Sequence, residues 1–129
     1  MTLKLCLAAV AVLALGPALS GCDTSVRPPA DTGICYHFVM PKGQKAKFNV
    51  LSRNVPNLET CAAALEGMRI RFLTLGGNQD EIVGAYQSKF IFLRHEGIFT
   101  SDSLEGGQYL ALVRSGDGRL VVPGAMPQQ

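Results

Sequence analysis

The sequence predicts an α+β domain: one helix packed on a mainly antiparallel sheet, or on a partly closed barrel, of five to seven strands. Three observations lead there. Short β-branched and aromatic runs recur from Ile34 onwards, separated by Gly, Pro, Asn and Asp. One stretch, 57–67, carries helical rather than alternating periodicity. Near the end of the chain, Ser115-Gly116-Asp117-Gly118 lies between two apolar runs, a strong hairpin signal.

The elements follow in order. Ile34 to Met40 is a compact run ended by Pro41-Lys42-Gly43, and Ala46 to Ser52 alternates apolar with polar residues, so the two read as a hairpin. Pro56 precedes Asn57, a good N-cap, and Glu59 sits in the first helical turn, where negative charge suits the helix dipole. Leu58, Cys61, Ala62 and Leu65 then fall on one helical face, and Gly67 reads as the helix end. Beyond it the pattern predicts strands: Arg69 to Leu75, a turn at Gly76-Gly77-Asn78, then Ile82 to Gln87 and Lys89 to Arg94 with a bend or bulge near Ser88. Tyr109 to Arg114 and Arg119 to Val122 complete the last hairpin. The chain shows no internal repeat and no low-complexity segment.

The N-terminus reads differently. Lys4, the apolar run Leu5 to Leu15 and the breaker pair Gly16-Pro17 have the order of an export signal, too short for a membrane span. The stretch that closes it, Leu19-Ser20-Gly21-Cys22, resembles the lipobox of bacterial lipoproteins. The resemblance implies diacylglyceryl transfer to the Cys22 thiol, cleavage before Cys22 and acylation of the new N-terminus. Lipid with that many chains anchors stably. Asp23 resembles the inner-membrane retention signal of enterobacterial lipoproteins and leans the location that way. The expected organisation is a cleaved leader over 1–21, a flexible tether over 22–33, a single globular domain over 34–125 and a frayed tail over 126–129. With two prolines and almost no apolar content, the tether at full extension reaches on the order of 35 Å.

Cysteine usage agrees with export. Cys6 leaves with the leader and Cys22 is the lipid acceptor, which leaves Cys35 and Cys61 as a pair. In an oxidising compartment such a pair reads as a disulfide, worth about 3–4 kcal/mol in the chain-entropy model. Free thiols or a metal site are the alternatives. The wide spacing, with His37 and His95 as the only histidines, argues against zinc.

Strand alternation carries the argument further. If Cys61, on the buried face of the helix, bonds to Cys35, then His37 and Val39 share the inner face of the first strand. Ile34, Tyr36, Phe38 and Met40 point the other way, on a more apolar face that water should not see. Barrel closure, a β-bulge or a partner would each cover it. Lys42, Lys45 and Lys47, with Arg53 beyond, form the one local concentration of charge, which either protects the hairpin edge or touches anionic groups. Tyr36, Phe38, Met40, Lys42 and Lys45 are therefore the candidate partner surface.

Catalytic chemistry is hard to find. His37 lies among aromatic strand residues, and His95 sits in the polar turn Arg94-His95-Glu96-Gly97. Ser101, Asp102 and Ser103 lack a nucleophile elbow, and no phosphate loop follows Gly76-Gly77 or Glu105-Gly106-Gly107. Glu96, Asp102 and Glu105 read as solvated loop carboxylates rather than a cluster. Past the leader, 11 Lys/Arg face 10 Asp/Glu, no basis for nucleic-acid binding. Ser103 to Tyr109 is similar to the inhibitory stretch of lipoprotein lysozyme inhibitors. The chain lacks tryptophan and the basic residue expected after that stretch, so no residue role carries over.

The expectation is thus a membrane-anchored envelope lipoprotein, facing the periplasm and acting as a binding or assembly module for an envelope protein. It is expected to be no enzyme and to carry no cofactor or metal beyond the covalent lipid on Cys22. The alternative is a small-ligand, peptidoglycan or lysozyme-inhibitor-like binding domain confined by its lipid.

Overall fold

The computed structural model describes residues 25–78 and 81–124. Seven strands and one helix follow the order β1 (Cys35–Val39), β2 (Lys47–Ser52), α1 (Leu58–Thr74), β3 (Ile82–Tyr86), β4 (Lys89–Arg94), β5 (Gly97–Ser101), β6 (Tyr109–Arg114) and β7 (Leu120–Val121). The sheet is antiparallel in the order β2-β1-β3-β4-β5-β6-β7. It is open, with β2 and β7 at its two edges, and does not close into a barrel.

Helix α1 lies across one face. Asn57 caps it as its sequence suggests, its side-chain oxygen accepting from the Thr60 amide at 2.9 Å. Cys35 and Cys61 are disulfide-bonded with Cα atoms 5.3 Å apart, which sews β1 to the first turns of the helix. Around the bridge, Val55, Ala62, Leu65, Ile82, Tyr86, Ile91, Leu93, Ile98 and Leu112 form the first core. Small residues let the layers close: at Gly84 an added Cβ would come within 2.3 Å of a Leu65 methyl and 2.7 Å of the Tyr36 carbonyl oxygen.

The helix runs 17 residues, through Gly67 to Thr74, and so replaces the strand expected over 69–75. Its inward stripe continues past Leu65, but with charge instead of hydrocarbon: Glu66 and Arg69 are both buried. Glu66 receives two hydrogen bonds from the Arg114 guanidinium, each 2.8 Å, and lies 3.5 Å from the Arg69 Nε. Arg114 also donates to the carbonyl oxygens of Arg94 and His95, tying the helix to the β4–β5 turn. The missing seventh strand is β5, which follows a two-residue turn at His95-Glu96 with Arg94 opposite Gly97.

The opposite face of the sheet holds a second core of Tyr36, Phe38, Ala85, Phe90 and Phe92. This is the face that strand alternation marks as too apolar for water. It is covered from within the chain. Phe48 on β2 stacks with Phe90 on β4 at 6.1 Å, although two strands lie between them. Flat sheet spacing would place those strands roughly 14 Å apart. The sheet therefore curls, and the rings lean together. Val26, Ile34 and Leu104 pack on the same cluster, and the Arg94 guanidinium carbon lies 5.7 and 5.1 Å from the Phe92 and Phe99 ring centres.

Residues 25–33 do not hang free. The Pro29 carbonyl accepts from the Ser88 amide at 2.9 Å, and the Gly33 amide donates to the Gln87 side-chain oxygen at 2.9 Å. The Val55 amide donates to the Gly33 carbonyl at 2.9 Å, and the Tyr36 hydroxyl donates to Asp31 at 2.7 Å. The stretch expected to be tether is, from Ser25 on, part of the domain. Gln87 and Ser88, both at positive φ (43° and 68°), make the two-residue β3–β4 turn.

Two outcomes test this packing. Gly84→Ala drives a methyl against Tyr36 backbone that cannot give way, and should destabilise the domain by about 1–3 kcal/mol in urea titration. Burial works against the charged form of Glu66, but the Arg114 hydrogen bonds and charge, then Arg69, outweigh it and hold the carboxyl below its ordinary value of 4.5. A depressed carboxylate stabilises fully above its unfolded value and loses that contribution as pH falls through the folded one. Glu66→Gln should cost on the order of 3 kcal/mol at neutral pH. The variant should also lack the part of the acid-side decline in stability that Glu66 is expected to contribute below pH 4.5.

Candidate functional site

Antiparallel order gives the sheet two distinct ends. The near end collects the start of β1, the Gln87-Ser88 turn and the β5–β6 loop over 102–108. The far end collects the β1–β2 hairpin, the exit of α1, the His95-Glu96 turn and the β6–β7 hairpin.

At the far end a shallow, open cleft of about 470 Å³ lies between β1, β3 and the last turn of the helix. Its walls include His37, Met40, Pro41, Phe72, Glu81 and Ile82. Met40 and Phe72 are 58 % and 41 % exposed, large apolar side chains on separate elements that meet at one opening. Leu75, at the helix C-cap, is also exposed. Lys42, Lys45 and Lys47 stand exposed on the adjoining hairpin and strand. Burial alone lowers the affinity of His37 for its proton, so the ring in the cleft wall is held towards neutral.

The expected partner surface is thus divided. Tyr36 and Phe38 are only 8 % and 7 % exposed and belong to the second core, although Phe38 also borders the cleft. Met40, Lys42 and Lys45 are exposed at the far end, where Phe72 joins them. Phe72 was hidden in the sequence because 69–75 alternates like a strand. Its position shows only once the helix is known to continue past Gly67.

The other singled-out groups do not converge. His37 lies on the helix side of β1, while Phe90 and Phe92 belong to the opposite core and do not line the cleft that His37 borders. Glu96 is at the far end, whereas Asp102 and Glu105 are in the near-end loop. Asp102 pairs with Lys89. The Ser101 and Ser103 hydroxyls accept from the amides of Ser103 and Gly106 at 3.2 and 2.8 Å, which shapes the loop. Among the described residues no group of three or more His, Cys, Asp or Glu is placed to hold a metal, and no helix is long and apolar enough to cross a membrane. Cys22 and Asp23 lie outside the described residues.

Comparison of the chain with protein-family models, with curated proteins and with solved structures finds no match.

Protonation of His37 should be visible in stability. A lowered folded value means stability falls as pH drops below the unfolded value of 6.5. His37→Gln should flatten the slope of unfolding free energy against pH just below 6.5, measured by denaturant titration.

Proposed function

We propose that this chain is a lipid-anchored lipoprotein of the bacterial envelope, acylated on Cys22 and facing the periplasm, whose domain works as a binding or assembly module. The leader and lipobox pattern support the anchor, and Asp23 leans the location towards the inner membrane. The far-end cleft carries the binding reading. Two exposed apolar side chains, Met40 and Phe72, share an opening beside Lys42, Lys45 and Lys47. The complementary partner is an envelope protein that presents an apolar side chain to the cleft and carboxylates to the lysines. Binding rather than catalysis is favoured because His37, Ser101 and Asp102 stand in separate settings, the last two committed to loop and ion-pair bonds.

A second reading, capture of a small ligand or of peptidoglycan, draws on the size of the cleft, which falls in the usual range for small-molecule sites, and on His37 and Glu81 in its wall. The openness of the cleft favours a protein.

A photo-crosslinking residue at position 72, in lipidated protein in living cells, separates the two. The expected result is one dominant protein adduct, absent when the crosslinker replaces the exposed Glu59 and lost on Met40→Gln. Met40 is exposed, so that variant should unfold within about 0.5 kcal/mol of wild type. Equal labelling from positions 72 and 59, or none from either, overturns the protein-partner reading.

A further inference from the structure

Where the chain enters the fold fixes which part of the domain can lie at a membrane. Ser25, Val26 and Arg27 lie beside Ser88, Asp102 and Ser103 at the near end of the sheet. From there the segment is held at successive points: Val26 on the second core, Pro29 on the Ser88 amide, Asp31 on Tyr36, and Gly33 on both Gln87 and Val55. The turn it grips is itself strained, since Gln87 and Ser88 both hold positive φ without glycine. Pro29 and Gly33 bond one to each of them.

Cys22 is three residues before Ser25, a span of at most about 11 Å at full extension. We infer that residues 25–33 are a clasp rather than a stalk, and that acyl chains on Cys22 hold the near end of the sheet against the lipid headgroups. This rests on the acylation proposed above. The contacting surface is then the Gln87-Ser88 turn, the 102–108 loop and Tyr109, which opens β6 at this end and is 74 % exposed. Tyrosine suits such a place, with a ring for the acyl boundary and a hydroxyl for water. Charge does not drive the contact. Exposed Arg27, Arg53 and Lys89 share this end with Asp31, Asp102 and Glu105, so the approach to lipid is insensitive to salt. The three hairpin lysines lie at the other end, roughly 20 Å further along the strands, and the Met40–Phe72 cleft opens away from the bilayer.

The clasp and the orientation are tested separately. In soluble Cys22→Ser protein, the Gly33 and Ser88 amides should show hydrogen-exchange protection, and Val26→Asp should release both while the Tyr86 amide stays protected. Free exchange at Gly33 and Ser88 in the parent protein overturns the clasp whatever happens at Cys22. For orientation, a fluorophore is attached at Glu105→Cys or at Gly116→Cys in lipidated protein, reconstituted in phosphatidylcholine vesicles with nitroxide-headgroup lipid. Both sites are exposed, one at each end. Quenching at position 105 should exceed that at 116 several-fold, unchanged by salt. A twelve-residue Gly/Ser insertion after Asp23 should abolish the difference. Equal quenching without the insertion overturns the orientation. Intact-mass measurement identifies a failure of the premise itself: protein lacking the lipid mass on Cys22 overturns the anchor and the orientation together, and leaves the exchange result standing.

Discussion

The Cys35–Cys61 bridge decides more of this fold than its length suggests. It assigns one face of β1 to the helix, and strand alternation then sends Tyr36 and Phe38 to the opposite face. Two bulky aromatics on a face without a helix demand cover. The sheet meets that demand by curling until Phe48 and Phe90 meet, and Val26, Ile34 and Leu104 fill what remains. A two-layer domain thus carries two cores, and the second depends on a stretch that by composition resembles linker.

Charge does the equivalent work at the other end of the helix. Leu65 is the last buried hydrocarbon on α1, and Glu66 and Arg69 continue the stripe because Arg114 reaches them from β6. Buried charges of this kind cost desolvation, and they persist where hydrogen bonds meet most of their capacity. The Arg69 Nε, buried without a hydrogen bond, marks the limit of that compensation. Freed from packing, Ile70, Phe72 and Leu75 stay in solvent, and one of them completes the far-end cleft.

Sequence reasoning reached the layer class, the N-cap at Asn57, the cysteine pair, the first and last hairpins and the segregation of β1 into two faces. Each follows from rules local to a few residues. It failed where a distant partner decides. Arg69 to Leu75 alternates convincingly, and only Arg114, far along the chain, makes a charged helical face permissible. The turn at Arg94-His95-Glu96-Gly97 is legible, but Gly97–Ser101 is hard to see as a strand because it runs into Ser101, Asp102 and Ser103, which read as loop. The tether was misjudged for a related reason: its bonds are made by backbone groups, Pro29 and Gly33 among them, to which composition is blind. Met40, Lys42 and Lys45 were legible as surface, but Phe72 was not.

The two rims of the open sheet have a bearing on company. An unclosed sheet is a template on which other chains can add strands. Here β7 is only two residues long, too short to guide a newcomer. On the other rim, Leu51 is an extra residue opposite the Cys35–Tyr36 step, a bulge that twists β2, and Lys47 adds charge at its start. With both rims blunted, the sheet offers a neighbouring chain little to extend by strand pairing.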